Sequence, residues 1–268
     1  MFGKGLWTIL SSGIPDDYDA NTENGYTSTP TTYTISSVSD ADAFCTRFYR
    51  ANGYKDSSAT LHLGDIIQIN DGNANISWYV AGFDVEHNQT AADGTVYDNG
   101  YGIALIPTSL NGLGISKWSS SETDTYIGSY VHKTYIPSYM NAFLNVLGEH
   151  LVYRNVLLGS AVYNKASSSY TWTKCYGTLL SGMQYYGYNG SYGNTYDIGE
   201  ANYALPLGDH IPTPGSSWKG GMWSRAIGRV GTKLRVCIFN SDSTASSPNY
   251  TTASYNSVYT VYPLIYIR

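Results

Sequence analysis

The run from Asn70 to Pro107 limits the fold of this chain more than any other. Asn70-Asp71-Gly72-Asn73 is a turn signal, and Ile76-Ser77-Trp78-Tyr79-Val80-Ala81-Gly82-Phe83 behind it consists mostly of β-formers. Asn99-Gly100 makes a second turn before Tyr101-Gly102-Ile103-Ala104-Leu105-Ile106, and Pro107 stops that strand. Upstream, Leu61, Leu63, Ile67 and Ile69 share one parity, with Gly64-Asp65 as a bend between the pairs. Downstream, Leu234, Val236 and Ile238 alternate, and Val261 to Ile267 reads as a closing strand. Helical spacing is rarer. Ser39-Asp40-Ala41-Asp42 opens one helix, whose stripe is Ala41, Phe44, Cys45 and Phe48. A second runs from Pro137 to Leu147 and ends at Gly148, and a third short piece is expected near Tyr176, Leu179, Leu180 and Met183. Few helices, several short strands and long polar loops predict an α+β fold.

Composition narrows this further. Ser, Thr, Asn, Gly and Tyr make up 130 of the 268 residues, which excludes a coiled coil or long helical bundle. The aromatic content of 15% supplies enough surface to bury, which excludes a disordered chain. A net charge of −5 offers nucleic acid and anionic membranes no general attraction. No run of 18 apolar residues occurs, so no membrane insertion is expected, and Met1 to Trp7 lacks the apolar core of a secretory leader. Cys45, Cys175 and Cys237 are odd in number and far apart. They predict neither a disulfide framework nor a zinc site, and synthesis in a reducing cytosol follows.

Trp78-Tyr79-Val80-Ala81-Gly82-Phe83-Asp84 and Ala92-Asp93-Gly94-Thr95-Val96-Tyr97-Asp98-Asn99-Gly100-Tyr101-Gly102-Ile103-Ala104-Leu105-Ile106-Pro107 resemble a family of tailed-phage and prophage proteins of gut bacteria. Further matches are Val152-Tyr153-Arg154-Asn155-Val156-Leu157-Leu158, Tyr170-Thr171-Trp172-Thr173, Gly199-Glu200-Ala201-Asn202-Tyr203 and Leu205-Pro206-Leu207. Trp223-Ser224-Arg225 and Tyr262-Pro263-Leu264-Ile265-Tyr266-Ile267-Arg268 are similar to that family's C-terminal signature, with Tyr262 standing where the family has an Arg. The resemblance runs from about Ala59 to the end. It implies a C-type-lectin-like (formylglycine-generating-enzyme-like) fold, as in phage tropism determinants: a twisted antiparallel sheet, two flanking helices and long irregular loops. The domains expected are then an extended arm over residues 1–38 for attachment to the virion and a lectin-like domain over 39–268.

The implied function is a virion structural protein, a fibre or tip component, made in the host bacterial cytoplasm. Its expected partners are other virion proteins, a host-surface glycan or protein, and further copies of itself, as a trimer. A decoration protein with no receptor role and a glycan-cleaving enzyme remain as alternatives. For cleavage the candidates are Asp84, Glu86, Asp93 and Asp98 with His87: on one strand face Asp84 and Glu86 would lie about 6.6 Å apart, near a glycosidase separation. Turn capping in Asn/Asp/Gly-rich sequence is the favoured reading of these acids, so no catalytic residue, metal or cofactor is assigned. His62, His132, His150 and His210 are scattered, and Cys175 and Cys237 are isolated from each other. Tyrosine with Ser, Gly and Asn is instead the composition of adaptable binding loops. The contact residues expected are Trp218, Met222, Trp223, Arg225, Arg229, Tyr250 and Tyr255, in or beside Gly-rich and Ser/Thr/Asn-rich segments where rings can be presented to a ligand.

Overall fold

The computed structural model describes residues 18–91, 94–109, 112–120, 125–163, 166–181, 184–185, 203–211, 222–230, 233–239 and 250–268. Its strands, in chain order, are Thr32–Ile35 (β1), Ile66–Asn70 (β2), Asn75–Phe83 (β3), Gln89–Thr90 (β4), Val96–Tyr97 (β5), Ile103–Pro107 (β6), Ile115–Lys117 (β7) and Arg154–Tyr163 (β8). Then follow Ala166–Cys175 (β9), Gly177–Leu179 (β10), Met222–Val230 (β11), Lys233–Phe239 (β12), Tyr250–Ala253 (β13), Val258–Thr260 (β14) and Pro263–Ile267 (β15). The α-helices are Ala20–Asn24 (α1), Val38–Arg47 (α2) and Ile136–Leu147 (α3). The class is α+β, with sheet predominating.

Two open sheets carry the body. The larger has the order β1-β2-β3-β6-β15-β10, the smaller β13-β12-β11-β14-β7, and β4-β5 and β8-β9 are separate ribbons. Turn chemistry fixes the β2-β3 hairpin. Asp71 Oδ1 accepts from the N–H groups of Asn73 and Ala74 at 2.8 and 2.7 Å, while Gly72 takes φ 85°. Every residue of β6 and β15 is buried, so these neighbours are interior strands of the larger sheet and read as unbroken apolar runs. Tyr262, just before β15, is buried as well, and its hydroxyl donates to the Pro107 carbonyl.

The helices cover this sheet through the spacing read from sequence. Ala41, Phe44 and Cys45 are the buried stripe of α2; Ile136, Met140, Phe143, Val146 and Leu147 are that of α3, with Phe143 edge-on to Trp78. The α2 cap is Ser37, not Ser39: its hydroxyl accepts from Asp40 N, and Asp40 in return accepts from Ser36 N at 3.0 Å. A π-helical turn, Val131–Tyr135, leads into α3, with Pro137 in its first turn.

Three expectations are corrected. Residues 18–38 are not a free arm: β1 pairs in parallel with β2 through the α2 crossover, Ile35 is buried, and Asn21 exchanges hydrogen bonds with Phe83 O and N at 2.9 and 2.7 Å. Their few apolar residues, spread among Thr and Ser, hid the strand; residues 1–17 lie outside the described residues. The helical piece expected near Tyr176 is strand β10, paired with β15. Residues 250–253, expected in a loop, form β13 against β12.

Candidate functional site

The acidic cluster is the natural place to look for chemistry. β3 stops at Phe83, and Asp84 turns the chain with φ 57°, so Asp84 and Glu86 do not share a strand face. Asp84 accepts from Tyr54 OH and from Gly102 N at 3.0 Å, and its second oxygen lies 3.0 Å from Arg50 Nε. Burial outweighs these contacts and raises its carboxyl above the ordinary aspartate range.

Glu86 points inward. Its Oε1 accepts from Arg154 Nη1 at 2.6 Å and Tyr203 OH at 2.7 Å, and its Oε2 from Asn99 Nδ2 at 2.9 Å. Arg154 has no exposed surface and also donates to Leu264 O at 3.0 Å and Thr178 Oγ1 at 3.2 Å. This network joins β8, β10 and β15 to the 84–99 loop, and a carboxylate so enclosed meets no sugar. His87 lies 3.1 Å from Asp98 with its ring tilted against Tyr101, while Asp93 is outside the described residues. Among the described residues no three His, Cys, Asp or Glu side chains are placed to hold a metal.

The expected contact residues are not gathered on one surface. Met222, Trp223 and Arg225 are core. Trp223 Nε1 donates to Ser116 O at 2.8 Å, and its ring centroid lies 5.6 Å from Trp118 and 4.8 Å from Tyr259. The segment that seemed loop-like in sequence is a strand there, and its backbone reaches Leu180 O from Arg225 N. Arg229 and Tyr250 fall on β11 and β13, their side chains outside the described residues, as is Trp218. Tyr255 is half-buried against the core edge.

A cavity of about 420 Å³, within the usual range of small-ligand sites, opens between the π-turn, α3 and the β9–β10 junction. Its apolar floor is Ile127, Ile136, Pro137 and Met140; its walls are His132, Lys133, Asn141, Tyr153, Lys174, Cys175 and Tyr176. Gly177 sets the floor: a Cβ there would stand 3.1 Å from both Ile136 and Met140, so any side chain would push the floor residues of α3 back by a few tenths of an ångström. Tyr153 is 55% exposed, and its ring centroid lies 4.7 Å from that of Tyr176. Burial, with Lys133 adding to it, lowers His132 to about 4, so this imidazole is neutral at pH 7; its Nδ1 is buried with no hydrogen-bond partner among the described residues. Burial pushes the Cys175 thiol up to about 11, which removes it as a nucleophile. A second, polar recess of about 280 Å³ lies over Phe83 and Asp84, beside Asn21 and Tyr203.

Sequence reasoning missed the larger cavity because its walls come from three distant segments. Tyr153 stands in a motif of the resemblance and Tyr176 in an expected helical piece, and no sequence signal joins them. No known protein family, curated protein or solved structure matches the chain.

Proposed function

We propose that the protein is a phage virion component whose C-type-lectin-like domain binds the host bacterial surface, through a glycan held in the 420 Å³ cavity. The observation that carries this is the Tyr153–Tyr176 pair at a preformed pocket. Tyrosine faces suit the apolar faces of sugar rings, and amide, imidazole and ammonium groups around them suit the hydroxyls. A lectin-like architecture is supported by two helices packed beside a mainly antiparallel sheet in which the final strand lies between β6 and the edge strand β10. The engagement of both Glu86 oxygens favours a binder over a hydrolase at the acidic cluster. No helix among the described residues is long and apolar enough to cross a membrane. Attachment to other virion proteins, and assembly as a trimer that multiplies weak single-site contacts, complete the reading.

The test is binding of the purified chain to host cells and to isolated wall glycan, with Tyr153→Ala as the control. Saturable binding that falls about tenfold in the variant supports the proposal. No binding at high micromolar concentration leaves the decoration-protein alternative standing.

A further inference from the structure

Resting on that pocket reading, we infer that the ligand is an acidic saccharide, a sugar ring carrying a carboxylate or phosphate that sits between Lys133 and Lys174. The two lysines come from different walls of one cavity, the π-turn and the end of β9. Among the described residues no Asp or Glu lines that cavity. Neither lysine forms an ion pair among the described residues, whereas Arg47, Arg50 and Arg154 each have a carboxylate partner. A chain of net charge −5 thus places two cations without a carboxylate partner among the described residues around one concave site, and the complementary ligand is an anion.

Charge alone would suit a bare phosphate ion. The remaining walls do not. Tyr153 and Tyr176 offer ring area, at 39° to each other, that a small inorganic ion leaves unused. The floor of Ile136, Pro137 and Met140 favours carbon over solvated oxygen. Anion and ring face, with the Asn141 amide in the same lining to meet a hydroxyl, together describe a sugar acid or sugar phosphate.

The experiment is calorimetric titration of the full chain with glucuronic acid, glucose 6-phosphate, glucose and inorganic phosphate, each to about 10 mM, the weak end of readable affinity. At least one acidic sugar is expected to bind about ten- to a hundredfold more tightly than glucose, with affinity falling as salt rises. Lys133→Met with Lys174→Met should remove that preference; both sites are exposed, and an unchanged melting temperature checks the fold. Glucose binding as well as the acids overturns the inference, as does inorganic phosphate binding as well as glucose 6-phosphate, or neither acidic sugar binding. Host-cell binding separates the two levels. Binding that survives the double Met variant but fails in Tyr153→Ala sinks the acidic ligand and keeps the pocket. Binding that survives both removes the pocket as well.

Discussion

Glu86→Gln tests the buried network that ties the sheets together. The substitution keeps the shape of the side chain and removes its charge, leaving the Arg154 guanidinium uncompensated at 0% exposure. No orientation of the new amide satisfies its neighbours. With its oxygen toward Arg154 and Tyr203, its NH2 faces Asn99 Nδ2, donor against donor. Asn99 cannot turn over to help, because its Oδ1 accepts from Asn155 N at 2.7 Å and its Nδ2 donates to Asn155 O at 3.0 Å. Breaking one side of a buried pair costs about 3–5 kcal/mol. With unfolding entropy of about 2.1 cal/mol/K per residue over this chain, the melting temperature should drop by roughly 5–9 °C. Urea unfolding at pH 7, followed by the fluorescence of the buried Trp78, Trp118 and Trp223, measures the loss. Arg154→Met should cost less in the Glu86→Gln background than in the wild type, because the two residues are coupled. A loss below about 1 kcal/mol for Glu86→Gln, or strict additivity of the pair, would refute the account of the network as a structural clamp.

Three further outcomes are expected. His132 is held neutral near a pKa of about 4 against about 6.5 when unfolded, so its contribution is full above pH 6.5 and is lost as pH falls from there to about 4, by about 3 kcal/mol at most; urea midpoints at pH 7 and 4.5 should converge for His132→Gln relative to wild type, and equal pH slopes would dismiss the effect. Gly112→Ala, at φ 51° with the new Cβ about 2.3 Å from Val261 O, should destabilise by about 1–3 kcal/mol, a cost read from the thermal midpoint and contradicted by an unchanged one. Ser37→Ala removes the α2 cap and should cost about 1 kcal/mol, while Ser39→Ala, which caps nothing, should cost clearly less in the same chemical denaturation series.

The sequence revealed what local periodicity encodes. The hairpin at Asp71-Gly72, the run into Phe83, the α3 stripe and the closing strand were legible because each is a contiguous pattern. The bend at Gly64 was legible too, and that glycine takes φ 89°. What stayed hidden depends on long-range company. Leu179 and Leu180 fit a helical spacing, yet Gly177 and Leu179 pair with β15, an interaction between residues some ninety positions apart. Trp223 and Arg225 read as presentable because their neighbours are glycines, and only the partner strands show that they are enclosed. Asp84 and Glu86 fit one strand face until the left-handed turn at Asp84 sends them apart. The cavity was least visible of all, since its two lysines and two tyrosines come from three unconnected stretches.

The position of β15 governs how this molecule forms. β6 cannot complete its ladder, and β10 has no place in the sheet, until Pro263–Ile267 arrives between them. During synthesis, therefore, about 160 residues of chain separate the β6 edge from the strand that will cover it. Over that interval Ile103 to Ile106 offers an open, apolar hydrogen-bonding edge, which makes the nascent chain slow to close and prone to pair with the wrong strand. The hazard grows with the concentration of nascent chains, so yield depends on how quickly the final strand docks as well as on the stability it confers.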